Sequence, residues 1–228
     1  MLGIKGGYGS AHLLKKFPYK KNNFPIMGYS DLTSLLIAIN QITKQTTYYG
    51  FMFLPNFENK FYKSNLNCLI KFLKNKKSNY NFTLKENQLL IIPTKKINVQ
   101  GISICGCLSI LSTLCGTKYF KQYKKDNIFF IEDINEEPYK IDRMLTHLKN
   151  CGIFKKTKCL FFDFKNCKNS KKNKNSINLK NTLLEIFKEY DFPIINLPKF
   201  GHRENKIILP IGKKINISFT KNNLNIKI

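Results

Sequence analysis

The spacing of hydrophobic positions changes several times along the chain, and each change marks an element. In NNFPIMGYSDLTSLLIAINQI, residues 22–42, Ile26 and Met27 form a short apolar run after Pro25. A Gly-Tyr-Ser-Asp bend follows, and then Leu32, Leu35, Leu36, Ile39 and Ile42 recur three and four residues apart. That pattern predicts a strand, a tight turn holding Ser30, and an amphipathic helix. Ahead of it, GIKGGYGSAHLLKKF reads as a glycine-rich turn running into a short helix from Ala11 to Lys16. After it come TTYYGFMF as a strand, a helix from Lys63 to Lys74, and the lysine- and asparagine-rich KNKKSNYNF as a linker.

A second region begins with the strand-like runs NQLLIIPT and KINVQGISICG and the helical CLSILSTLCGT. An apolar strand from Ile128 to Ile131 then delivers Glu132 and Asp133 at its end, and Tyr139 to Leu148 has helical periodicity. TKCLFFDF is a further strand and NTLLEIFKEYD a helix, while FPIINLPKFGHRENKIILPIG supplies two strands flanking a turn that contains His202. Strands and helices alternate through most of the chain, so the class is α/β with a β-rich C-terminal portion. No internal repeat is evident.

Composition narrows the picture without changing it. At 228 residues, 43% hydrophobic and 13% aromatic, the chain is globular and long enough for one good core or two modest ones. No apolar run reaches membrane-spanning length and the first residues lack a signal-peptide pattern, so a soluble cytoplasmic protein is expected. Seven cysteines without a C-x-x-C pair argue against a disulfide framework or a zinc site and read as reduced packing residues. A net charge of +25 would ordinarily point to nucleic acid. Nearly all of it is lysine, however, accompanied by Asn, Ile, Phe and Tyr with no Trp. Those residues have A/T-rich codons, so no specific nucleic-acid partner is expected. Two arginines stand in this background, Arg143 and Arg203, which hints at a need for the fixed fork of guanidinium donors.

Three residues carry candidate chemistry. Ser30, at a strand-to-helix turn, has the placement of a nucleophile elbow, with helix N–H groups aimed at any oxyanion formed there. Glu132 and His202 supply the carboxylate and base that a hydroxyl nucleophile needs. Taken singly, each has a plainer reading: Ser30 or Asp31 caps the helix, Glu132 pairs with a lysine, and His202 is a loop histidine. His12 and His147 fall within helices and read as surface or packing residues.

The segments GGYG, GYSDLT, GISICGCLSILSTLCGTKY, IFFIEDINEEPYKIDRML and LPKFGHRENKIILPIG occur in the order seen in the LD-carboxypeptidases of the S66 serine peptidase family. The chain resembles that family from about Gly3 to Gly212. The resemblance implies a partial flavodoxin-like nucleophile domain, residues 1–75, a linker at 76–88, and a smaller β-rich α/β C-terminal domain, residues 89–228. It implies a serine LD-carboxypeptidase that removes the terminal D-alanine of murein tetrapeptides in cytoplasmic cell-wall recycling. Ser30 would be the nucleophile, His202 the general base and Glu132 its orienting carboxylate, with Glu136 the alternative. The N–H groups of Asp31 and Gly7 would form the oxyanion hole, and Lys5, Tyr8 and Arg143 would bind substrate. No metal or other cofactor, a homodimer and no membrane are implied.

The sequence also departs from the family's pattern. Since it starts just ahead of the GGYG loop, the chain is expected to lack the usual N-terminal part; Lys5 replaces an arginine, YYGFM a His-Gly-Pro, and CGCLS a glycine-rich segment. A truncated, inactive or partner-dependent remnant is therefore one alternative, and a basic nucleic-acid-binding protein another. A third is an amidase that inactivates a peptide-nucleotide antibiotic.

Overall fold

The computed structural model describes the chain except at residues 58–59, 61, 76–77, 92–96, 122, 171–176 and 221. The first part runs β1 (Met27–Gly28), α1 (Thr33–Thr43), β2 (Thr47–Tyr49), α2 (Phe53–Phe57) and α3 (Tyr62–Asn75). There follow β3 (Asn79–Thr83), β4 (Leu89–Ile91), β5 (Ile97–Cys107), α4 (Leu108–Leu114), β6 (Asn127–Ile134) and α5 (Pro138–Asn150). The chain closes with β7 (Thr157–Lys165), α6 (Leu179–Phe187), β8 (Ile194–Asn196), β9 (Leu209–Ile211), β10 (Lys214–Thr220) and β11 (Asn223–Lys227).

These strands build an α/β fold on two sheets. The larger has the order β3-β11-β10-β5-β6-β7-β8-β4, and its centre, β5 to β8, is parallel. The near-continuous apolar runs of β6 and β7 suit strands buried on both faces, and both are buried over most of their length. Beside α4 packs α5, and beside α5 packs α6. Pro138 opens α5 at its first turn, where a missing N–H costs nothing, and the Asn178 side chain caps α6 by accepting from the Asn181 N–H at 3.0 Å. The smaller sheet has the order β1-β2-β9. Its third strand comes from the C-terminal part of the chain, and a Ser103 Oγ bond to the Pro210 carbonyl at 2.6 Å ties it to β5. The two sheets therefore meet along β5 and β9, which brings the end of β2 close to the end of β6.

Several local expectations are corrected. Residues 79–83, expected in a linker, form β3, where the half-buried Tyr80 and Phe82 alternate with exposed residues in a polar-looking stretch. The strand expected over 46–53 ends at Tyr49, and Phe53 already starts α2. The helix expected at Ala11–Lys16 is a 3-10 turn over Ser10–Leu13. Of the strand expected at 87–94, only Leu89–Ile91 is seen, and residues 92–94 lie outside the described residues. The seven cysteines are free thiols, but Cys151 is exposed rather than packed. Among the described residues no helix is long and apolar enough to cross a membrane.

Candidate active site

The bend at Ser30 is a real elbow. Tyr29 is fully extended, Ser30 has φ 58, and Ser30–Leu32 form one 3-10 turn leading into α1. A non-glycine residue in this left-handed region is strained, and such strain is held where the surroundings over-determine it. Here the surroundings are the glycine loop. Ser10 donates its N–H to Asp31 Oδ2 at 3.0 Å and its hydroxyl to the Asp31 carbonyl at 2.5 Å. At the other end the Gly3 N–H bonds the Met27 carbonyl at 2.9 Å. The loop between them arches past Ser30, and a Cβ at Gly6 would lie 3.2 Å from Ser30 Cβ and 3.3 Å from its Oγ.

Glu132 and His202 reach the same point from the other sheet. His202 Nε2 is 3.1 Å from Ser30 Oγ, and His202 Nδ1 is 2.7 Å from Glu132 Oε2. In the tautomer with its proton on Nδ1, His202 donates to the Glu132 carboxylate and turns the Nε2 lone pair to the serine hydroxyl. The three side chains thus form a relay. Glu132 is 1% exposed, and its other oxygen accepts from Tyr49 OH at 2.6 Å. Burial first, and then the Glu132 carboxylate, pushes the Tyr49 hydroxyl well above its ordinary value, so it remains a donor. The same phenol oxygen accepts the Ser30 N–H at 3.2 Å, linking Ser30 and Glu132 through one group. Tyr49→Phe is expected to destabilise the protein by about 1.5–3 kcal/mol, the range for a hydrogen bond to a charged group, measured by urea unfolding.

The turn that carries His202 is lashed down at four points. The His202 N–H reaches Glu132 Oε2 at 3.4 Å, and its carbonyl accepts from Lys165 Nζ at 3.1 Å. Arg203 grips the buried Asp163 with Nε at 2.5 Å and Nη2 at 2.6 Å, the bidentate geometry that lysine cannot make. Lys206 donates to the Gly201 carbonyl and sits 3.5 Å over the Tyr29 ring, whose edge meets His202 at 5.2 Å between centroids. Asp163 lies opposite Glu132 in the β6–β7 register, so one pair of strand ends anchors the whole turn.

Lys206 is 3% exposed, and burial pulls its amine down to about 7 although Glu132 opposes the shift. Between about pH 7 and the ordinary lysine value of 10.5 the folded protein binds fewer protons than the unfolded chain, so this group makes stability rise with pH there. Relative to wild type, Lys206→Met is therefore expected to fare best at or below about pH 7. The comparison turns less favourable to the variant as pH rises towards 10.5, as paired thermal melts at about pH 6 and about pH 9 would show.

The structure brings Ser30, Glu132, His202 and Asp31 together with the glycine loop. Gly6, not Gly7, packs against Ser30; Gly7 follows it with φ 142 and is exposed. On the same loop Lys5 is exposed and Tyr8 is 97% exposed. Arg143 stands on the exposed side of α5 with its guanidinium 5.1 Å over the Tyr139 ring. Glu136 pairs with Lys140 at 3.0 Å, one turn along, and it is Glu132 that His202 contacts. Sequence reasoning missed Tyr49, which reads as an ordinary strand aromatic, and Lys206, hidden among many lysines.

Residues 100–217 match the LD-carboxypeptidase C-terminal domain, and residues 1–50 match the LD-carboxypeptidase N-terminal domain. The chain belongs to the LD-carboxypeptidase family. Similar proteins include a probable murein peptide carboxypeptidase of Bacillus subtilis, 31% identical over 92% of this chain and 65% of that protein. The Microcin C7 self-immunity protein MccF of Escherichia coli is 27% identical over 97% of this chain and 71% of its own length. A muramoyltetrapeptide carboxypeptidase from Oxalobacter formigenes superposes on all of this chain and 77% of its own with a TM-score of 0.86, a likeness of fold at 24% identity. The chain thus spans about two thirds of the length of these two curated relatives.

Proposed function

We propose that this chain is a serine LD-carboxypeptidase that removes the terminal D-alanine from murein tetrapeptides. The observation that carries the reading is the continuous relay from Ser30 Oγ through His202 to Glu132, at 3.1 and 2.7 Å, in a chain of this family. In the proposed reaction Ser30 Oγ attacks the carbonyl carbon of the scissile amide while His202 Nε2 takes its proton. Glu132 and the Tyr49 hydroxyl behind it stabilise the imidazolium that results. The N–H groups of Asp31 and of Gly7 receive the oxyanion. His202 then returns the proton to the departing amine of D-alanine, and water, deprotonated by the same histidine, hydrolyses the acyl-enzyme. Lys5, Tyr8 and Arg143 are the proposed substrate-binding residues, with the Lys5 ammonium available to the free carboxylate of the terminal D-alanine. Cell-wall recycling in the cytoplasm is the proposed setting. A homodimer belongs to the same reading, supported by the exposed Tyr62, Leu66, Ile70 and Leu73 along α3.

The MccF relative supports a second substrate reading, hydrolysis of an amide that joins an amino acid to a nucleotide. A parallel assay of a murein tetrapeptide and an aminoacyl sulfamoyl nucleoside separates the two. D-alanine release with the nucleoside left intact is expected; cleavage of the nucleoside alone would replace the first reading with the second.

A further inference from the structure

The C-terminal ends of α4 and α5 bring together three soft donor groups unrelated to the relay. Cys115 closes α4, while His147 lies in the last turn of α5 and Cys151 directly follows that helix. Their spacing of four puts His147 and Cys151 on one helix face, and the Cys151 N–H still bonds the His147 carbonyl at 3.0 Å. The two sulfurs and a histidine ring nitrogen all lie within 4.8 Å of one another. Cys115 is buried at the floor, and His147 and Cys151 are exposed at the mouth. Among the described residues it is the one group of three or more potential ligands with this spacing.

We propose that Cys115, His147 and Cys151 form a binding site for a borderline-soft divalent cation, best fitted by zinc, with water as the fourth ligand. Two sulfurs and one imidazole are the donors such an ion prefers, and zinc bonds of about 2.3 Å to sulfur and 2.0–2.1 Å to nitrogen require ligand atoms roughly 3.5 Å apart. Binding requires the exposed His147 and Cys151 side chains to rotate until the group closes onto that spacing. Both helices point their C-terminal, partially negative ends at the site, which favours a cation in a chain otherwise crowded with lysine. On binding, each thiol gives up its proton to solvent and ligates as thiolate. The ion would clamp α4 to α5, the helices that follow β5 and β6. At its other end α4 already holds Asp133 through the Ser109 N–H at 2.8 Å, next to Glu132.

Titration of the reduced, metal-stripped protein with Co(II), followed by displacement with Zn(II), tests this. The expected result is one equivalent of Co(II) with a thiolate-to-cobalt charge-transfer band, loss of the band on adding zinc, and a higher Tm in either metal. Cys151→Ser should weaken the band and the binding, since the Cys115 thiolate alone would then supply it. His147→Ala should weaken binding by more than the 10–100-fold that loss of an outer-shell partner typically costs. Both positions are exposed, so the metal-free Tm of each variant should match wild type, and a match shows that lost binding is not lost folding. Absence of a thiolate band in the wild type would overturn the proposal. So would a band of undiminished intensity in Cys151→Ser, or formation of a Cys115–Cys151 disulfide without any metal binding to the reduced protein.

Discussion

Ser30→Ala is expected to lower kcat for D-alanine release by on the order of 10⁶-fold while leaving the fold intact, the scale seen when a triad serine is removed. The reason is local. The Ser30 hydroxyl bonds His202 Nε2 and supports no core packing, so the methyl left behind keeps the elbow in place. Alanine tolerates a φ of 58 no better than serine, so the strain of the bend is unchanged. Residual hydrolysis would come from the oxyanion donors and substrate positioning alone. Single-turnover rates beside a thermal melt check this: the rate should fall to the residual level and Tm should hold.

Gly201→Ala is expected to cost both stability and activity. Gly201 has φ 65, and a Cβ built on it would fall 2.3 Å from both Cγ and Cδ of Glu132. Glu132 has nowhere to retreat, since it is held by Tyr49 on one side and by the His202 ring on the other. Overpacking of about 1–3 kcal/mol and left-handed strain of about 1–2 kcal/mol together predict a loss of roughly 2–5 kcal/mol. Displacing the carboxylate from Nδ1 removes what selects the productive tautomer, a loss of about 10⁴-fold in kcat for the comparable aspartate change in a serine protease. A Gly201→Ala, Glu132→Ala pair should recover part of the stability and none of the activity. Equal stability losses in the single and double variants would show that the clash with Glu132 is not the cause.

The elbow was legible in the sequence because the apolar period changes at Ser30, from a short run to helical spacing. Glu132 and His202 were legible as polar residues placed at a strand end and in a turn. What no spacing rule conveys is that 172 residues separate Ser30 from His202 and that they meet only because two sheets join at β5 and β9. The partner of Tyr49 is 83 residues away, so its role is invisible to local pattern. Arg203 shows the opposite case. In a lysine-rich chain the guanidinium stood out, and its two-pronged grip on Asp163 is the reason an arginine is needed there. Composition misled twice, hiding the Tyr80–Phe82 alternation of β3 within an asparagine-rich stretch and hiding Lys206 among its like.

Whether Ser30, His202 and Glu132 work as one acyl-transfer unit is tested by labelling the purified chain with a serine-directed fluorophosphonate, followed by mass-spectrometric mapping. A single adduct on Ser30 is expected, formed in the wild type and lost in His202→Ala. No adduct on the folded wild-type protein, an adduct on another serine, or labelling of Ser30 that is indifferent to His202 would contradict it.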